Sequence, residues 1–132
     1  MSEIKTVPTL TTLMLILPIK TVSEANNRDN WRKKRTRRIA QQREVNIEWK
    51  REARGRKVKL PCVVKFTRIA PRKLDDDNLR SAFKGIRDEV ARLLGVDDGG
   101  DQVKWEYEQL PRGSHQYDVF IEVRSWRPSP CS

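Results

Sequence analysis

Residues 73–94 read KLDDDNLRSAFKGIRDEVARLL. The second part of this stretch decides the fold. Leu79, Ala82, Phe83, Ile86, Val90, Leu93 and Leu94 recur at three- and four-residue intervals, which predicts a helix over residues 79–94 with one broad apolar face. Gly95 is the expected stop. The first part raises the chemical question. Asp75, Asp76 and Asp77 stand side by side in a chain whose formal net charge is +10. Aspartate is a favoured helix cap, and acids suit a helix's positive N-terminal end, yet only one of the three can be the cap.

Outward from this helix the chain alternates between strand and helix patterns. Residues 1–11 are expected to form a loose leader and residues 13–20 a first strand, closed by Pro18 and the turn-like residues 23–27. Residues 27–54 contain no Pro or Gly and place Trp31, Ile39, Val45, Trp49 and Ala53 in a narrow helical stripe, with Gly55 ending the helix. Residues 58–69 predict a second strand, with Cys62, Val64 and Phe66 on one side and Val63, Thr67 and Ile69 on the other, so that both faces are expected to be covered. Residues 102–108 and 117–123 alternate as two further strands, followed by a tail at 127–132. The order β-α-β-α-β-β predicts one α+β domain over residues 1–132, with helices packed on a mixed sheet.

Composition limits the function. The 132 residues suit a single small domain. No apolar run approaches the ~20 residues of a membrane span. Two cysteines, Cys62 and Cys131, make neither a disulfide framework nor a zinc site, and a reducing cytoplasm is the expected compartment. The lone His115 falls in a predicted turn, and no glycine-rich phosphate loop is present, so a nucleotide cofactor is not expected.

Charge is unevenly placed. Residues 28–59 carry fourteen bases against four acids, whereas residues 75–108 carry ten acids against five bases. Six of the seven residues 32–38 are Arg or Lys, more than solubility requires, and they suit a surface that tracks phosphates. The candidate nucleic-acid contacts are Arg28, Arg32, Lys33, Lys34, Arg35, Arg37 and Arg38, with Arg72 and Lys73 just ahead of the aspartates. An acidic cluster repels phosphate in a passive binder but suits a nuclease, in which carboxylates hold a hard cation such as magnesium.

A second acidic group, Asp97-Asp98 followed by Gly99-Gly100-Asp101, lies past the far end of the 79–94 helix. That helix is about 24 Å long. The two groups therefore meet only if the following loop returns, or if a second chain contributes one of them. Asp77, Ser81, Lys84 and Asp88 form a polar stripe opposite the apolar face. It is either a solvated face with a Lys84–Asp88 pair, or a surface on which Lys84 meets phosphate or developing negative charge.

Asp75-Asp76-Asp77-Asn78 opening a helix, Asp97-Asp98 with Gln102-Val103, and Leu17-Pro18 followed by Asn26-Asn27-Arg28 together resemble the RusA-type Holliday junction resolvases. The resemblance spans roughly residues 13–124, and its aspartate motifs are the specific part. It implies a homodimer that cuts four-way DNA junctions with Mg2+, for which Mn2+ is expected to substitute. It implies metal-binding and catalytic roles for Asp75, Asp77 and one of Asp97 and Asp98, with Asp98 the favoured ligand and Asp97 assisting, and a phage or prophage origin in a bacterial cell. Two features depart from the pattern. Ser81 stands where the family has a lysine, leaving Lys84 one turn later to replace it, and Gly99-Gly100-Asp101 separates the acidic pair from Gln102. The alternative is a non-catalytic, structure-selective DNA-binding protein on the same scaffold.

Overall fold

The computed structural model describes residues 9–21, 30–97, 99–113 and 116–126. The elements run β1 (Thr9–Leu10), β2 (Thr12–Leu17), α1 (Trp31–Ala53), β3 (Lys57–Val58), β4 (Cys62–Ala70), α2 (Asp76–Leu94), β5 (Val103–Pro111) and β6 (Asp118–Ser125). The main sheet has the order β2-β6-β4-β5. β4 and β5 pair in parallel, and β6 lies antiparallel to both β2 and β4. The sheet is therefore mixed, and α1 and α2 each carry the chain back between parallel strands, as the predicted order of elements requires.

Both helices return in the same sense and run parallel to each other. Their contacts advance together: the Gln42 amide donates to the Gly85 carbonyl at 3.1 Å and the Asn46 amide donates to Glu89 at 3.0 Å. At Gly85 the two helices pack tightly. A Cβ there would lie 2.8 Å from the Arg38 Cγ, so the crossing depends on the missing side chain.

The core lies between the helices and one sheet face. Leu79, Phe83, Ile86 and Val90 of α2 are buried against Val64 and Phe66 of β4. Phe66 stacks on Phe83 at 5.1 Å and on Trp105 at 5.8 Å between ring centroids. Fully burying each large apolar side chain contributes about 1.5–3 kcal/mol. Leu13, Leu15 and Leu17 alternate with exposed neighbours on β2, the pattern of a strand covered on one side.

Several expectations are corrected. β2 ends at Leu17, not residue 20, and two leader residues form β1, which pairs in parallel with β3. The strand expected over residues 58–69 is two strands, separated by a bend that holds a cis Leu60–Pro61 bond. Among the described residues, helices cover one face of the sheet. Met14 and Ile16 are exposed on the other, among the ion pairs Lys65–Glu108 and Arg124–Glu122. In α1 the buried positions are Gln41, Val45, Trp49 and Ala53, while Trp31 and Ile39 face solvent. α1 stops ahead of Gly55 as expected, with Arg54 as its left-handed C-cap at φ 52° and Gly55 following at φ 79°. No helix among the described residues is long and apolar enough to cross a membrane.

Candidate functional site

The acidic run opens α2. Asp75 is the N-cap, and its carboxylate accepts from the Asn78 N–H at 2.9 Å. Asp76 and Asp77 follow in the first turn, and all three side chains are exposed. The helix thus begins three residues earlier than its apolar periodicity indicates.

The loop into Asp75 is held by two side chains that periodicity did not single out. Gln109 of β5 grips Leu74 from both sides: the Leu74 N–H donates to Gln109 Oε1 at 2.8 Å and Gln109 Nε2 donates to the Leu74 carbonyl at 2.7 Å. Arg68 of β4 donates to the Arg72 carbonyl at 2.6 Å. The Asp75 carboxylate therefore stands on a backbone anchored to the ends of two neighbouring strands. Nothing in the sequence marks Gln109, because its partner lies 35 residues away.

The basic surface shares this pole. Lys34 and Arg38 of α1 face Ser81, Lys84 and Gly85 of α2 across a cavity of about 160 Å³. Because the helices run in parallel, the basic start of α1 lies beside the acidic start of α2. Lys84 lines this cavity with Lys34 and Arg38, and its side chain is exposed. Arg32, Lys33 and Arg35 are exposed on α1, Arg37 is half-buried, and Arg72 and Lys73 are exposed on the loop before Asp75. Arg28 lies outside the described residues.

The second acidic group lies elsewhere. β4 and β5 are in register from Cys62↔Val103 to Ala70↔Pro111, so the turn that feeds β5 sits at the opposite end of the sheet from the loop that follows β4. The Cys62 N–H donating to the Gln102 carbonyl at 3.0 Å confirms that placement. Asp97 and Asp101 are exposed in this turn. The nineteen residues of α2 separate them from Asp75 by about 28 Å within one chain. The loop does not return Asp97 to the first cluster. Asp98 and His115 lie outside the described residues. Among the described residues no group of three or more carboxylate, thiol or imidazole side chains is arranged to hold a metal ion.

Trp105 and Tyr107 are half-buried beside Phe66, as core residues. Arg87 lies over the Trp105 ring at 4.6 Å and donates to the Tyr107 hydroxyl at 3.1 Å. Cys62 is buried, and burial pushes its thiol up to about 11. It is thus an inert core residue and not a nucleophile. No protein-family model matches the sequence, and comparison with curated proteins finds no match.

Proposed function

We propose that the protein is a magnesium-dependent, structure-selective endonuclease that resolves four-way DNA junctions by phosphodiester hydrolysis, acting as a homodimer. The observation that carries this reading is the shared pole: paired exposed carboxylates, Asp75 and Asp77, beside the basic start of α1. A surface that attracts phosphate and also presents carboxylates suits a cation bridging the two.

The donor set fits magnesium as half of a site. Asp75 uses Oδ1 for the cap and keeps its second oxygen, and Asp77 adds a carboxylate within the first turn of the helix. Magnesium commonly takes one or two carboxylates, with water and phosphate completing its octahedron. When bound, it would polarise the phosphodiester and make a bound water a stronger acid. Asp75 and Asp77 would orient it, Gln109 would keep the Asp75 backbone in place, and Lys84 with Lys34 would hold an adjacent phosphate. Because one chain keeps its two acidic groups at opposite poles, Asp97 and Asp98 would come from a second copy in inverted orientation. Such a dimer would have two equivalent sites, as symmetric cutting of a junction requires.

The separation of the acidic groups also favours a second reading, a non-catalytic junction-binding protein in which the aspartates serve as cap and turn residues. The test is magnesium-dependent cleavage of synthetic four-way junctions by wild type and Asp77→Asn, with sedimentation to establish the dimer. Binding without cleavage across a panel of junction sequences sinks the nuclease reading and leaves the second one.

A further inference from the structure

Arg68 is an arginine near the end of a core strand. It lies two residues beyond Phe66 on the helix-covered side of β4 and is only 6% exposed. Its hydrogen bonds go to neutral acceptors: Nε donates to the Thr21 hydroxyl at 2.8 Å and Nη1 to the Arg72 carbonyl at 2.6 Å. Among the described residues no carboxylate pairs with it. Burial pushes the guanidinium down from its ordinary value; the Tyr117 phenol works against that shift, and no carboxylate among the described residues does. A buried charge without a counter-ion is costly, so buried guanidinium groups normally face a carboxylate.

The missing anion has a place to go. Arg68 lines a cavity of about 300 Å³ together with Lys20, Thr21, Arg72, Leu74 and Tyr117. Lys20 and Arg72 are exposed at its rim, and Lys20 lies over the Tyr117 ring at 4.9 Å. Three cations and a phenol therefore converge on one cavity, and no carboxylate among the described residues lines it. The volume is at the low end for small-ligand pockets and suits a phosphate with part of its ester group. Arginine's planar fork matches phosphate oxygens, and a partly desolvated site strengthens that contact.

We propose that this cavity is a phosphate-binding seat, with Arg68 as its floor and Lys20 and Arg72 as its rim. It lies on the loop that leads into Asp75, so an occupying DNA phosphate would sit one step along the backbone from the phosphate at the carboxylates. That identity of the ligand rests on the nuclease reading above; the seat itself rests on Arg68 and the cavity. The seat also gives the loop a second function, since the carbonyl that Arg68 grips belongs to Arg72, three residues before the cap.

The experiment compares thermal unfolding in sodium phosphate and in sodium chloride of equal ionic strength, alongside junction affinity in magnesium-free buffer. The proteins are wild type, Arg68→Met and the rim double variant Lys20→Ala/Arg72→Ala. Phosphate at about ten times its dissociation constant raises the wild-type midpoint by a few degrees over chloride. Both variants lose that rise, and each binds the junction about tenfold more weakly, the effect of one charge-assisted contact. Arg68→Met removes a buried charge but also leaves the Thr21 hydroxyl and the Arg72 carbonyl without their partner, so its midpoint in chloride serves only as the baseline for its phosphate response. An equal phosphate response in all three proteins overturns the seat. If Arg68→Met does not fold, the rim variant decides alone. Should wild type show the Arg68-dependent response but neither bind nor cut junctions, the nuclease reading falls and the seat stands. If Arg68→Met and the rim variant cut and bind junctions like wild type and phosphate gives no rise, the seat falls and the nuclease reading stands.

Discussion

Replacing Arg32, Lys33 and Arg35 together by glutamine removes three exposed cations from the first turns of α1, beside the acidic start of α2. Glutamine has nearly the helix propensity of arginine and lysine, and exposed substitutions of this kind change stability by less than about 0.5 kcal/mol. The fold is therefore preserved and the readout is electrostatic. Each cation that neutralises a duplex phosphate contributes a slope of about −0.9 to log K against log salt. Three contacts contribute about −2.7. Between roughly 50 and 200 mM salt this shrinks the affinity advantage of wild type over the variant by about 40-fold. Fluorescence anisotropy on a labelled four-way junction over that salt range measures both slopes. Parallel slopes for the two proteins would refute the assignment, because they would mean that the start of α1 touches no phosphate.

Three further outcomes follow from particular contacts. Asp75→Asn keeps an N-cap whereas Asp75→Ala loses it, so only the alanine variant should lose about 1 kcal/mol in denaturant titration, while both should lose magnesium-dependent cleavage. Phe83→Ala opens a cavity against Phe66 and Tyr107 and should cost about 3–5 kcal/mol in urea unfolding. The Cys62 thiol titrates near 11 in the fold against 9.0 ordinarily, so folding favours its neutral form; its contribution to stability is complete below about pH 9 and is lost as pH rises toward 11. Stability measured across that range for wild type and Cys62→Ala, both carrying Cys131→Ser, should diverge with the wild type falling faster.

The parts of the fold legible in the sequence are those where one kind of residue repeats against one kind of partner. α2 has a continuous apolar stripe, an acidic start and a glycine stop, and it packs on an apolar sheet face. α1 was harder to read, because its contact with α2 is half polar. Gln42 meets a backbone carbonyl and Asn46 meets Glu89, which Arg92 also grips, so apolar spacing marked Val45, Trp49 and Ala53 but not the rest of the buried face. That is why Gln41 is inside and Ile39 outside. β1 and β3, at two residues each, are too short for any period. Within the candidate site, the acidic start of α2 was legible as a cap signal and the basic run as a charge surplus. Whether the aspartate groups approach each other was not, because it depends on the direction of β5 relative to β4. Arg68 and Gln109 were hidden for a related reason: each acts on a loop backbone, and backbone carbonyls and amides carry no sequence signature.

The parallel run of α1 and α2 has an electrical consequence. Each peptide unit contributes about 3.5 D along its helix axis, so helices of 23 and 19 residues carry dipoles of about 80 and 66 D. In antiparallel pairs such dipoles largely cancel; here they add, to nearly 150 D before screening. Their positive ends coincide with the pole that holds Lys34, Arg72 and Lys73, and their negative ends with the turn that carries Asp97 and Asp101. The two helix dipoles thus reinforce each other along one axis. At their positive ends they add to the pull of the basic pole on a polyanion, whereas at the far end of α1 Lys50 and Arg51 offset them.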